Sequence, residues 1–358
     1  MTRILQVIIL PVSLCYGLAM MIRNFLFDLH LLPSKTFDRP IVSVGNLTFG
    51  GTGKTPHIEY LIRLLSSRNI VATLSRGYGR KSSGFILASK RSSVKYIGDE
   101  SLQVLKKFEE VKVAVDEKRS RGVRLLLEKH PDIDVILLDD AFQHRYVKPG
   151  LSILLTDYHR LYSEDWVLPS GTLREFRSGS GRADIIVVTK TPRIFSPITR
   201  RRIIEELKPH NHQHIYFSYI KYQDPVSVFD TLNPEFPAKL TNILLFTGIA
   251  NDYPLREHLE RMCSELVVMK FADHHPYTVK DLEAITRTYH DLPTQKKLII
   301  TTEKDVMRLK TPELGTYLKN LPLFCVSMEI DFHGTDKEKF DNEILRYVKQ
   351  NQRNSRVS

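Results

Sequence analysis

Ile41-Val-Ser-Val-Gly-Asn-Leu-Thr-Phe-Gly-Gly-Thr-Gly-Lys-Thr55 is an apolar, β-branched run that gives way to glycines and then to Lys54 and Thr55. The pattern predicts a buried strand, a tight loop and a helix. Pro56 suits an early helical position, where its missing N–H leaves no bond unmade. Glycines let peptide N–H groups turn inward around one anion, and the positive end of the following helix points at the same anion. A nucleotide polyphosphate fits such a cradle. Lys54 then reaches the β and γ phosphates and the Thr55 hydroxyl ligates magnesium. The predicted ATP contacts are therefore Thr48, Phe49, Gly50, Gly51, Thr52, Gly53, Lys54 and Thr55. Thr48 stands where the general form of this motif has its first glycine.

On either side of the loop, short Val- and Ile-rich runs alternate with helix-like runs. Candidate strands are Ile41–Val44, Ile70–Leu74, Val111–Val115, Val135–Asp139, Leu151–Thr156 and Ile185–Thr189. Apolar residues at 58, 61, 62 and 65 mark one face of the helix after the loop. Such alternation predicts an α/β P-loop NTPase fold with a mostly parallel sheet flanked by helices. Prolines 225, 234 and 237 make Tyr222–Lys239 read as a connection. A second strand–helix set follows, with strands expected at Ile243–Thr247, Leu266–Phe271, Leu298–Thr302 and Leu323–Ser327. The expected organisation is a hydrophobic helix over residues 1–32, a P-loop domain over 33–222 and a smaller α/β domain over 223–358.

Asp134-Val-Ile-Leu-Leu-Asp-Asp140 is an apolar strand ending in two carboxylates. Next to a phosphate loop, a strand-end Asp holds magnesium directly or through water, and one or two carboxylates suffice for that ion. Asp139 is the expected direct ligand, with Asp140 as its partner. The plain alternative is a strand-end turn, where Asp is common.

The chain carries a net charge of +11, so its surface favours anions: nucleic acid, anionic lipid or a phosphorylated substrate. Three cysteines, Cys15, Cys263 and Cys325, have no paired spacing, so neither a disulfide framework nor a zinc motif is expected. From Ile4 to Ile22 no residue is charged, and Arg3 and Arg23 bracket the run. Pro11 and Gly17 weaken it as a straight membrane-spanning helix. A buried core helix, a cleaved signal and a lipoprotein site at Cys15 are the competing readings. A segment embedded in the membrane or lying on it is preferred, because the ATP motif just downstream requires cytoplasm and no small-residue cleavage site is evident.

Several segments together resemble the lipid A 4'-kinases, the tetraacyldisaccharide 4'-kinase family. They are Val44–Pro56, Leu74-Ser-Arg-Gly-Tyr-Gly-Arg80, Gly98-Asp-Glu100, Leu138-Asp-Asp-Ala-Phe-Gln-His-Arg145, Leu168-Pro-Ser-Gly-Thr-Leu-Arg-Glu175, Phe271-Ala-Asp-His-His-Pro-Tyr277 and Thr302-Glu-Lys-Asp305. The family also has a small residue where Thr48 stands. Ala141 in place of Gly and Ala272 in place of Pro are departures that carry no functional group.

The resemblance implies ATP- and magnesium-dependent phosphorylation of the 4'-hydroxyl of a tetraacylated glucosamine disaccharide 1-phosphate. It implies a glycolipid partner and a monotopic or peripheral place on the cytoplasmic leaflet of the inner membrane. Neither a nucleic-acid partner nor an oligomer is expected. It makes Asp99 the proton acceptor, although from the residues alone Asp99 reads as a carboxylate serving a helix dipole. It pairs His274 with that Asp; adjacent histidines beside Asp273 lack the one-turn spacing of a helical zinc site. Lys54 completes the catalytic set. Gln143, Arg174 and Glu175 are candidate nucleotide or metal-shell contacts, a surface salt bridge being the plainer reading of the last two. His144 and the loop residues Arg76, Tyr78 and Arg80 are candidate substrate contacts, where an arginine meets the sugar 1-phosphate. A solvated basic loop explains the latter three equally well.

A rival reading is a P-loop GTPase or ATPase that switches or delivers a cargo. Ile185-Ile-Val-Val-Thr-Lys-Thr191 has the strand-Thr-Lys form of a guanine-reading loop, but Pro192 stands where the acidic residue is needed. A nucleic-acid-binding ATPase accounts for the charge but not for the apolar N-terminus.

Overall fold

The computed structural model describes residues 3–229, 241–249, 251–273, 275–309, 314 and 317–357. The chain divides into two compact units. One runs to Ile220 and takes up the chain again at Ile330, and the other is Lys221–Glu329.

The first unit is built on a nine-stranded sheet. Its strands are β1 (Ile41–Asn46), β2 (Val71–Ser75), β3 (Ile86–Leu87), β4 (Lys112–Val115), β5 (Val135–Asp139), β6 (Leu151–Asp157), β7 (Ile185–Thr189), β8 (His214–Tyr222) and a late strand, Met328–Phe332. The spatial order is Met328–Phe332, β8, β7, β6, β1, β5, β2, β4, β3. Neighbours from β8 across to β4 run parallel, and β3 is antiparallel to β4. Every residue of β1 is buried, as expected of a strand covered on both faces. β1 lies between β5 and β6, with Val44 opposite Asp139. The phosphate loop and the strand with two carboxylates therefore open on the same edge of the sheet.

Helix α1 (Arg3–Asp28) is continuous through Pro11. Its residues Ser13, Gly17 and Phe27 are buried against the unit, whereas Val12, Leu14, Leu18, Met21, Ile22 and Phe25 are exposed. A Cβ on Gly17 would lie 2.5 Å from the Phe176 ring, so only glycine permits this approach. Helix α2 (Lys54–Ser66) buries Ile58, Leu61, Ile62 and Leu65 on the sheet, the stripe read from the sequence. Short helix α3 (Val94–Ile97) leads into α4 (Asp99–Lys107), and α5 (Arg119–Lys129) and α6 (Pro197–Leu207) follow.

The second unit has a five-stranded sheet. β9 (Val226–Ser227) pairs antiparallel with the strand Leu323–Val326, and the others, Asn242–Thr247, Glu265–Lys270 and Lys297–Thr302, extend it in parallel. The buried Asp305 accepts hydrogen bonds from Thr247 Oγ1 (3.1 Å), Thr302 Oγ1 (2.7 Å) and Tyr277 OH (3.0 Å). It ties two strand ends to the segment after the Asp-His-His run.

The second unit ends earlier than the expected 223–358. The last helix, Asp336–Val357, places Phe340, Ile344 and Val348 in the core of the first unit with Val42, Ile58 and Leu61. A helix at the end of a chain buries its stripe wherever an apolar face is open, and sequence order does not reveal that destination. Of the proline-rich connection, residues 230–240 lie outside the described residues.

Candidate active site

The loop after β1 reaches α2 through Gly53, whose φ of 86° is left-handed and favours glycine. Lys54 Nζ lies 3.3 Å from Asn46 Oδ1 and 3.6 Å from Asp140 Oδ1. Thr55 is buried in the first turn of α2. The Thr52 hydroxyl is enclosed and has no hydrogen-bond partner among the described residues. Phe49 is exposed, with the Arg174 guanidinium 5.8 Å from its ring centre.

Asp139 and Asp140 have different surroundings. Asp140 adopts a left-handed φ of 48° and accepts a bond from Arg174 Nη1 at 2.9 Å. Burial raises its pKa, but Lys54 and Arg174 outweigh that, and the carboxyl is held below its usual range. Asp139 Oδ1 is enclosed without a hydrogen-bond partner among the described residues. Burial, then the neighbouring Asp140 charge, push the Asp139 carboxyl up to about 6. A divalent cation reverses both penalties, so these residues fit magnesium: Asp139, Asp140 and the Thr55 hydroxyl supply hard oxygens, and water completes the shell. Among the described residues no group of three or more His, Cys, Asp or Glu side chains could hold a metal. Magnesium, which keeps its waters, needs no such cage.

The segment 168–175 and the N-terminal helix complete this edge. Gln143 Nε2 donates to the Asn46 carbonyl (2.9 Å) and to Glu175 Oε1 (3.1 Å). Glu175, almost fully buried, also accepts from Arg182 Nη2 (2.8 Å) and from Asn24 Nδ2 of α1 (2.6 Å). The Arg174 carbonyl accepts from Tyr16 OH at 3.0 Å, and the Gln143 carbonyl from Arg23 Nη2 at 3.2 Å. Thus Glu175 is a hub that joins α1 to the nucleotide edge rather than a member of a surface salt bridge.

Asp99 opens α4 and is buried. It follows Gly98, where a Cβ would meet the Tyr78 carbonyl oxygen at 2.6 Å. This contact sets Asp99 beside the loop of Arg76, Tyr78 and Arg80. The Glu100 charge helps to raise the Asp139 pKa, so the start of α4 lies near the carboxyl end of β5. Arg76 and Tyr78 are exposed there. Arg80 is turned away: its guanidinium binds the Glu117 carboxylate and donates to the Gly84 carbonyl at 2.9 Å. Its position suits shaping the loop better than meeting a ligand.

His144 is held neutral. Burial, then the Arg119 and Arg76 charges, lower its pKa to about 4. Arg119 is itself fully buried and donates to the Asp139 carbonyl at 3.2 Å. Burial lowers its pKa to about 10, while Asp139 and Asp140 oppose the shift. Arg119 and the α1 contacts Tyr16 and Asn24 were not among the residues read from the sequence, and Arg23 was read only as a flank of the apolar run. A charge at the start of an ordinary helix, and polar residues inside an apolar run, give no local sign of where they will dock. His274 lies outside the described residues. Its neighbour His275 stacks on Phe271 and bonds Asp281 at 3.0 Å within the second unit.

The comparisons with known proteins agree with this chemistry. The family model described as tetraacyldisaccharide-1-P 4'-kinase matches residues 5–349. A tetraacyldisaccharide 4'-kinase of Bacteroides thetaiotaomicron is 45% identical over 360 residues, covering 97% of this chain and 94% of that protein. One of Flavobacterium johnsoniae is 45% identical, covering 98% and 99%. Among solved structures, LpxK from Aquifex aeolicus in complex with ATP aligns with a TM-score of 0.72 at 28% identity, covering 96% of this chain and 99% of that one. With the phosphate loop, the paired carboxylates and the helix-to-site contacts all inside the matched span, the chain belongs to the tetraacyldisaccharide 4'-kinase family.

Proposed function

We propose that this protein transfers the γ-phosphoryl group of ATP to the 4'-hydroxyl of a tetraacyldisaccharide 1-phosphate, giving the bisphosphorylated lipid A precursor lipid IVA. The observation that carries the reading is the convergence of Lys54, Asp139 and Asp140 on one sheet edge, in a chain that matches the family from residue 5 to residue 349. Lys54 and the loop N–H groups hold the phosphates. Magnesium, held by Asp139, Asp140 and Thr55, would neutralise charge on the transferring group. Arg174 pins Asp140 and so fixes its carboxylate. Asp99 takes the sugar hydroxyl proton as the bond to phosphorus forms, and His274, which the family resemblance pairs with it, carries the proton onward. Arg76, Tyr78 and His144 border the acceptor.

The acceptor is a lipid, and α1 suits it. The stretch Ile9–Asp28 is long and apolar enough to cross a membrane, yet it lies against the first unit at Ser13, Tyr16, Gly17, Arg23, Asn24 and Phe27. Only 11% of that stretch is buried, so a few contacts hold the helix on the first unit while most of its apolar surface stays free. Its outer face therefore lies in the headgroup region of the cytoplasmic leaflet of the inner membrane, where ATP is available, and presents the glycolipid to the magnesium edge.

The test is to incubate the purified chain with ATP, magnesium and a tetraacyldisaccharide 1-phosphate and to resolve the lipid products. A bisphosphorylated lipid is expected. ATP hydrolysis that ignores the glycolipid would favour the switch or cargo-delivery reading instead.

A further inference from the structure

Four successive carbonyls of the phosphate loop are each met by a side chain from outside it. Asn46 Nδ2 lies 3.4 Å from the Gly50 carbonyl. The Lys190 ammonium donates to the Gly51 carbonyl. Thr189 Oγ1 donates to the Thr52 carbonyl at 2.9 Å. His57 Nδ1 lies 2.7 Å from the Gly53 carbonyl. His57 is buried, and its other ring nitrogen, Nε2, lies 3.1 Å from Ser218 Oγ. A ring nitrogen that faces a carbonyl oxygen carries a proton there.

The consequence follows from the peptide plane. In a trans peptide the C=O of one residue and the N–H of the next point in opposite directions. Holding the Thr52 and Gly53 carbonyls outward therefore holds the N–H groups of Gly53 and Lys54 inward. Holding the Gly51 carbonyl fixes the peptide whose N–H, that of Thr52, closes the turn on the Gly50 carbonyl at 3.1 Å. Glycine-rich loops have no side chains of their own to select one shape, and the entropy lost on fixing them is large.

Lys190 and Thr189 stand at the end of β7, two strands from the loop's own strand. Lys190 has a left-handed φ of 58°, and its ammonium is also fixed by Asp157 at 2.6 Å. Thr191 is tied to β8 by its N–H and its hydroxyl, both donating to the Ser218 carbonyl at 3.0 and 2.9 Å. The Thr189-Lys190 pair resembled a guanine-reading sequence, yet its side chains face the phosphate loop.

We propose that Lys190 and Thr189 are positioning residues for ATP: from the end of β7, Thr189 holds the Thr52 carbonyl so that the Gly53 N–H is set for phosphate, and Lys190 holds the Gly51 carbonyl and so fixes the turn of Thr52 on Gly50, before the nucleotide arrives. The proposal rests on the reading that this loop holds the ATP phosphates.

The experiment measures ATP–magnesium binding by calorimetry without acceptor, kinase kinetics with glycolipid, and thermal midpoints, all on the full chain. Lys190→Met is expected to weaken ATP binding and raise KM for ATP about tenfold, the loss of one charge-assisted hydrogen bond. The KM for glycolipid and the thermal midpoint should stay near wild type. Thr189→Val should weaken ATP about threefold, and Thr189→Ser, which keeps the hydroxyl, should restore it. A folded Lys190→Met protein with wild-type ATP affinity overturns the proposal. If Lys190→Met does not fold, the Thr189 pair decides, and equal ATP affinity of the valine and serine variants overturns it. Because ATP binding is read without acceptor, a wild type that binds ATP but does not phosphorylate the glycolipid would overturn the proposed function and leave this comparison intact.

Discussion

Lys54 Nζ and Asp140 Oδ1 stand 3.6 Å apart, joining the phosphate loop to the carboxyl end of the neighbouring strand β5. The lysine comes from the first turn of α2 and the carboxylate from a residue with left-handed backbone. The two are linked by charge, and Arg174 remains beside Asp140 when Lys54 is removed. Lys54→Ala is therefore expected to keep the fold and to lower phosphoryl transfer on the order of 100- to 1,000-fold, as for removal of one group that stabilises developing charge. Steady-state kinetics beside a thermal melt checks this. Near-normal turnover in a folded variant would remove the loop from the mechanism.

The unequal surroundings of Asp139 and Asp140 make a paired prediction. A carboxyl whose pKa is raised by folding costs stability once ionised; for Asp139 this cost is absent below the ordinary carboxyl range and complete above about pH 6. Asp139→Asn should then hold or raise the thermal midpoint at neutral pH, worth about 1–3 kcal/mol at most, while sharply reducing magnesium-dependent activity. Asp140→Asn removes the partner of Arg174 and Lys54, so it should lower the midpoint and impair activity less. The reverse ranking in magnesium titrations would exchange the roles of the two carboxylates.

The docked and exposed faces of α1 can be tested separately. Changing Leu14, Leu18 and Phe25 together to Ser should weaken binding to anionic vesicles at least about tenfold, because each removes a large apolar side chain from the exposed face of α1. ATP binding should be unchanged. Deleting residues up to Arg23 is a harsher change, since it also removes the Ser13–Ser170 and Tyr16–Arg174 contacts and the Arg23 bond to Gln143. Vesicle flotation that finds the triple variant bound like wild type would refute the membrane-lying reading.

Asp99 and His274 are expected to act as one unit. Asp99→Ala should lower kcat strongly with little change in ATP affinity, and His274→Ala should do so to a lesser degree because the carboxylate remains. The double variant should be little worse than Asp99→Ala alone. Measured at saturating ATP, fully multiplicative losses would end the dyad interpretation.

Much of this protein was legible in its sequence, for a local reason. A buried parallel strand, a glycine-rich turn and a first-turn lysine are set by neighbours in the chain, so β1, the loop and Lys54 were readable from residues 41–55 alone. The same holds for the strand ending at Asp139 and Asp140, and for the stripe of Ile58, Leu61, Ile62 and Leu65 on α2. Only tertiary structure decided that the last helix returns to the first sheet, that Arg80 turns to Glu117, and that Glu175 ties Asn24 of α1 to Gln143. It also decided that Lys190 and Thr189 hold a loop 139 and 137 positions earlier in the chain. A backbone pattern follows from steric and hydrophobic periodicity over a few residues. The partner of a long polar side chain depends on which distant strand ends the sheet order brings together, and no local pattern encodes that order.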